Sequence, residues 1–282
     1  MLLIKLHLCA FAQSEESDFN TNFAFSVHSI DDFFDRFNAK PNTAFQNYLG
    51  KNYPGVSFSR EKLVYSLFNK RNKFFYQNSN VSDFVRQVTD SCAPSFTRYS
   101  DKYWYAELKC TVVIRAKPQS IILVLKVEQP GPGLFKWSVV SAKSDVLKMP
   151  QQKTVAPAVI PAPSENKVPR SSKYFLSPIS HGIDFVNLEN FFSSGSHASD
   201  YLYDGKISDE LKYLVGLING GKIRFSQVNK ITYHLLQING WVVSVNYFNY
   251  NAKNSGWLID NLMKVTPDQK TIFLKNRLNI VI

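Results

Sequence analysis

Two stretches of this chain carry the same apolar pattern 120 residues apart, and this shift limits the architecture more than composition does. Trp137 falls on Trp257, Val113 on Tyr233, Ile121 on Trp241, Leu123 on Val243, Leu125 on Val245, Val127 on Tyr247 and Val139 on Ile259, without a gap. The shift is even, so residues that share a sheet face in one copy share it in the other, as they must if both copies bury the same face. Upstream, Val81-Ser82-Asp83 matches Ile207-Ser208-Asp209 at a shift of 126, which places a loop difference of six residues between the two matches. The pattern predicts two similar domains in tandem.

Residues 150–172 separate the halves and contain five of the 13 prolines. Each proline removes a backbone donor and biases its predecessor to extended geometry, so the segment reads as a semi-stiff linker. The domains are then 19–149 and 173–282, and each is large enough to bury a core. The 22 Phe, 14 Tyr and 4 Trp belong to a folding chain and exclude collagen, coiled coil and a disulfide miniprotein.

Each half reads as helices followed by a meander, an α+β arrangement with helices packed on a curved antiparallel sheet. In the first, helical spacing covers 30–37, 59–68 with Ser59 as N-cap, and 82–88, and strands cover 103–115, 120–129 and 135–143. Lys117-Pro118-Gln119 and Pro130-Gly131-Pro132-Gly133 mark the turns. In the second, 184–192 and 208–218 are helical and 223–236, 241–250 and 256–263 are strands. Asn239-Gly240 is the strongest hairpin signal, because both residues can take positive φ in a type I′ turn.

The first 12 residues, with one cation, an apolar run and the small-x-small ending Ala10-Phe11-Ala12, read as a secretory signal peptide. A lipoprotein reading would use Cys9, but Leu6-His7-Leu8 lacks the small residue expected before it. The expectation is therefore an exported chain, periplasmic or extracellular, and no other segment reaches the ~18 apolar residues of a membrane helix. After processing, Cys92 and Cys110 remain, and they can form one disulfide or stay as two buried thiols. They are 18 positions apart with no histidine nearby, which does not match zinc spacing, so no metal or other cofactor is expected.

Residues 231–247, followed by Gly256-Trp257-Leu258-Ile259, and more weakly 110–142, resemble the nuclear-transport-factor-two-like superfamily. That resemblance implies a cone-shaped α+β fold in which helices close over a curved sheet. Its members include isomerases, dehydratases and non-catalytic binding or scaffold domains, so fold alone does not choose a function. In members resembling ketosteroid isomerase, an acid and a tyrosine act inside the cone. The candidates for such roles here are His181, Asp184, Tyr233, His234, Tyr247 and Asp260. Tyr233 and His234 are neighbours on one strand and face opposite ways. Tyr233 is expected to pack as a core aromatic with Trp241 and Trp257, out of reach of Asp260 or Asp184, and His234 to face solvent. If a cone holds a small apolar ligand, Tyr233, Tyr247 and Trp257 are placed to line it.

No phosphate loop, nucleophile elbow or grouped histidines occur, and the reading is a non-catalytic binding or scaffold protein with an envelope protein or small apolar ligand as partner. The net charge of +11 is spread along the chain, which argues against nucleic acid as a general partner and limits membrane association to lipidation or a basic surface. The one dense spot is Lys70, Arg71 and Lys73, followed by Phe74-Phe75-Tyr76. It combines cations with aromatics as a polyanion-binding surface would.

Overall fold

The protein is described from a computed structural model, which covers residues 25–77, 79–147, 176, 185 and 187–282. The leader at 1–12, the linker at 150–172, His181 and Asp184 lie outside the described residues. The chain divides into two compact units, one formed by residues up to Phe96 with 248–258, the other by 97–247 with 259–282. That division does not follow the linker. The expected boundary at 150–172 separates neither unit, because strands from both sides of it join one six-stranded antiparallel sheet in the order β3-β2-β1-β4-β5-β6.

In the first unit, α1 (Ile30–Phe37) starts at Ser29, whose Oγ accepts from the Asp32 N–H at 3.0 Å, and its Asp31 and Asp32 favour the positive helix end. Its buried face carries Phe33, Phe34 and Phe37. Arg36 is also buried, and its Nη2 donates to Asp32 at 2.6 Å and to the Ser26 carbonyl at 2.5 Å. A helix that the apolar period did not indicate, α2 (Ala44–Asn52), buries only Leu49, so it carries no apolar stripe to read. The expected helix at 59–68 is shorter, α3 (Arg60–Tyr65), capped by Ser59 as its sequence suggests. A short 3-10 turn (Lys73–Gln77) leads into α4 (Asn80–Thr89), which begins before the expected cap at Ser82. The Phe84 ring centroid lies 6.1 Å from those of both Phe37 and Phe68, and Phe75 adds to Phe68 at 5.2 Å. Arg60 donates to the carbonyls of Phe37 at 3.0 Å, Val88 at 2.8 Å and Ser95, tying together the C-terminal ends of α1 and α4 and the loop after α4.

Gly256, the first residue of β6, closes this unit by bridging Val27: Val27 N–H donates to Ser255 and Trp257 N–H to Val27, each at 2.9 Å. Its φ is +88°, and a Cβ there would run into the Val27 carbonyl. Gly256→Ala is therefore expected to lower unfolding free energy by about 2–3 kcal/mol, from left-handed strain plus the displaced bridge. Urea melts of the two proteins check this, and equal midpoints would contradict it.

The second unit holds β1 (Trp104–Ile114), β2 (Lys117–Gly131), β3 (Leu134–Lys143), β4 (Ile223–Leu235), β5 (Trp241–Phe248) and most of β6 (Gly256–Lys264). All six strands fall where the alternation placed them, within a few residues. Each three-stranded meander has two edges, and pairing β1 with β4 covers one edge of each, leaving β3 and β6 at the ends of the sheet. The tight turn lies elsewhere than the sequence indicates. Arg115 (φ +51°) and Ala116 (φ +61°) make the two-residue β1–β2 hairpin in the left-handed region, whereas at Asn239-Gly240 only Gly240 takes positive φ. Ala116→Gly should remove that strain and stabilise the protein by about 1 kcal/mol, read as a raised denaturation midpoint.

One sheet face carries Trp104, Ala106, Tyr233 and Trp137, and all four are buried. The other face carries Tyr105, Glu107, Thr232, His234, Ser244 and Asn246. Helix α5 (Leu188–Ser193) packs on β4, and α6 (Asp209–Asn219), capped by Ser208, packs on β3 and β4. A C-terminal segment, α7 (Pro267–Ile272) continued by a π turn at Phe273–Arg277, lies over the polar face.

Candidate functional site

The polar face of the second unit holds a continuous hydrogen-bonded chain. His234 Nε2 lies 3.2 Å from Glu107 Oε2 and its Nδ1 lies 3.0 Å from Ser244 Oγ. Arg277 Nη2 donates to Glu107 Oε1 at 2.7 Å. Burial pushes the Glu107 carboxyl up, but its bonds to His234 and Arg277 outweigh that and leave it below its ordinary value, so it is ionised near neutral pH. A carboxylate only accepts, so Nε2 carries the imidazole proton and Nδ1 accepts from the Ser244 hydroxyl. Burial also lowers His234, which keeps the ring neutral.

The resulting order, serine to histidine to glutamate, is the polarity of a nucleophilic triad. Its setting differs from one. His234 is 2% exposed, the Phe273 ring lies 5.4 Å from it, and Arg277 closes the far end on Glu107. Each member spends its hydrogen bonds on the next, and the outcome is to hold the C-terminal segment on the sheet. Lys270 adds bonds from Nζ to the carbonyls of Leu236 at 2.7 Å and Ile238 at 2.6 Å, and Asn279 donates to the Ala142 carbonyl at 3.3 Å. Around these contacts Tyr105, Val124, Val140, Leu236, Val242 and Leu278 form an apolar cluster.

His234 thus corrects the expectation of a solvent-facing residue. Its alternation with Tyr233 is as read, but the face opposite Tyr233 is covered by residues 267–278, which no local pattern links to β4. Tyr233 is a core aromatic, as expected. Its ring centroid lies 5.7 Å from Trp104 and 6.4 Å from Trp137. Asp260 accepts from Asn246 Nδ2 at 3.1 Å, and Asn246 in turn accepts from Thr232 at 2.6 Å. Thr232 and Tyr233 are successive residues on opposite faces, so Asp260 and Tyr233 do not converge on one substrate atom. Of the other proposed ligand-lining residues, Trp257 is buried at the start of β6, and Tyr247 is 38% exposed near the end of β5.

Among the described residues Cys92 and Cys110 are free thiols, so the disulfide between them that the sequence left open is not formed. Cys92 is exposed in the Asx turn after α4, where its N–H donates to Asp90 Oδ1 at 2.7 Å, and Cys110 is buried within β1. Burial pushes the Cys110 thiol up to about 12. Iodoacetamide should alkylate Cys92 in the folded protein and Cys110 only after unfolding, as located by peptide mapping. Equal labelling of both in the native state would contradict this placement.

In the first unit the basic segment at 66–77 meets the segment at 248–258. Asn254 is buried and bonds to main-chain atoms of the other segment: its Oδ1 accepts from the Lys70 N–H at 2.8 Å and its Nδ2 donates to the Phe68 carbonyl at 3.0 Å. Arg71 places its guanidinium carbon 4.1 Å from the Tyr250 ring centroid, and Tyr250 stacks on Phe248 at 5.2 Å with planes 25° apart. Lys70 is half-buried, which lowers its pKa, whereas Arg71, Lys73 and Lys253 are exposed. The two segments contain four cations and no acid. Sequence reading found Lys70, Arg71 and Lys73. It missed Asn254, Tyr250 and Phe248, which lie some 180 residues away and carry no distinguishing local pattern.

No group of three or more His, Cys, Asp or Glu residues arranged to hold a metal ion occurs among the described residues, and none of their helices is long and apolar enough to cross a membrane. No family model, curated protein or solved structure matches the chain.

Proposed function

We propose that this is a non-catalytic binding protein whose binding surface is the pair of loops 66–77 and 248–258 in the first unit. The observation that carries the reading is the Asn254 staple. A buried side chain that bonds to both the N–H of Lys70 and the carbonyl of Phe68 fixes two acid-free segments in register, so their cations and rings are presented together. The closed Ser244–His234–Glu107–Arg277 chain supports the non-catalytic part, since its polar groups serve to anchor the C-terminal segment. Export belongs to the same proposal, supported by the character of residues 1–12. So does a two-copy origin resembling the cone-shaped superfamily, in which the copies share one sheet. The 120-residue shift supports it by carrying the strands of the first meander onto those of the second.

Retention on immobilised heparin tests the surface. Arg71→Glu with Lys73→Glu should elute at clearly lower salt than the parent. Lys117→Glu with Lys143→Glu, the same charge change on exposed strand residues, should move elution much less. Equal shifts for both pairs would mean that net charge alone is read and would sink the proposal.

A further inference from the structure

We infer that the polymer bound by this surface is single-stranded nucleic acid. This rests on reading the paired loops as the binding site and goes further by naming what occupies them. Cations alone would suit any polyanion. What distinguishes this surface is the ladder in which Arg71 lies on Tyr250 and Tyr250 stacks on Phe248. A guanidinium held over a ring, its carbon 4.1 Å from the centroid, offers a face for a base while its charge meets the neighbouring phosphate. Phe74, three residues beyond Arg71, is 55% exposed and offers another ring. Every base has a π face, so such a surface holds a flexible strand with little regard to sequence. Lys73 and Lys253 are exposed on the same two segments, make no ion pair among the described residues, and have no acid on either segment to repel a phosphate. A sulfated polysaccharide would use the cations but has no π face to stack on the guanidinium or the rings. A duplex would keep its bases stacked on each other.

The test uses the full chain and two fluorescein-labelled strands of about 20 nucleotides, one of thymidine and one abasic with the same phosphates, read by anisotropy at about 50 and 200 mM salt. The thymidine strand is expected to bind, and to weaken by about 50-fold over that salt range if all four cations contact phosphate. The abasic strand should bind at least about tenfold more weakly, and Phe74→Ala and Tyr250→Leu should each cost the thymidine strand about tenfold while leaving abasic binding unchanged. Phe74 is exposed, so its variant keeps the parent's thermal melt and remains informative if the Tyr250 variant misfolds. Equal affinity for the two strands would overturn the stacking proposal and leave the polyanion surface standing. The stacking proposal also falls if heparin competes through Arg71 and Lys73 while neither ring substitution matters. Absence of binding to either strand at the lower salt, with no retention on heparin, would overturn both.

Discussion

Trp137→Ala is expected to lower the unfolding free energy by about 3–5 kcal/mol, a loss larger than that expected at Gly256 or Glu107. The side chain is fully buried, its ring lies 4.6 Å from Trp104 edge-on and 5.6 Å from Phe185, and its backbone N–H donates to Leu176 at 3.0 Å. Truncation removes these contacts and leaves a void between rings that cannot close it, being fixed by the sheet beneath them. Trp137→Phe should cost much less, about 1–2 kcal/mol. The indole Nε1 of Trp137 has no hydrogen-bond partner among the described residues, so phenylalanine keeps an aromatic contact and sheds a desolvated donor. Urea denaturation followed by circular dichroism ranks the three proteins. Similar losses for both variants would show that the indole makes a polar contact outside the described residues.

Glu107→Ala should cost about 3 kcal/mol and loosen residues 267–282 before the sheet. It removes the acceptor of both His234 and Arg277, leaving a buried N–H without a partner on one side and a half-exposed guanidinium on the other. Hydrogen exchange would show protection lost first across the C-terminal segment. Uniform loss throughout the sheet would mean that the chain of bonds is not a clamp.

The same cluster sets a pH dependence. The charged groups around His234 are Glu107 on β1, Arg277 on the C-terminal segment and Lys230 on its own strand. Folded His234 takes up a proton less readily than its ordinary value near 6.5, so the stability due to its neutral ring is complete above that value and is lost as pH falls below it. Glu107 works in the same direction at lower pH, because its ionised form is favoured in the fold and that gain disappears as pH falls through its lowered value. Stability should therefore decline between about pH 7 and 5 in the parent and decline less over that window in His234→Asn. A parent whose stability rises on acidification would refute the neutral assignment of His234.

Strand positions, the α+β class and the cap at Ser59 were legible in the sequence, because alternation with period two and a serine cap depend on residues close together in the chain. Tyr233 was readable as a core residue for the same reason, and the basic half of the candidate surface was visible as a dense local run. What the sequence could not supply was pairing across distance. A proline-rich linker suggested two separate domains, yet β1 and β4 pair along eleven positions, from Trp104 with Leu235 to Ile114 with Ile223. Fragments cut at the linker would each expose that edge. His234 looked like a surface residue because alternation says which side of a strand a side chain takes and nothing about what covers that side. Only the tertiary structure put Phe273 and Arg277 over it, and only the tertiary structure brought Asn254 to Lys70. Local propensity is set by bonds within a few residues. Register, covering elements and long-range staples are chosen by burial of surfaces that meet only once the chain has folded.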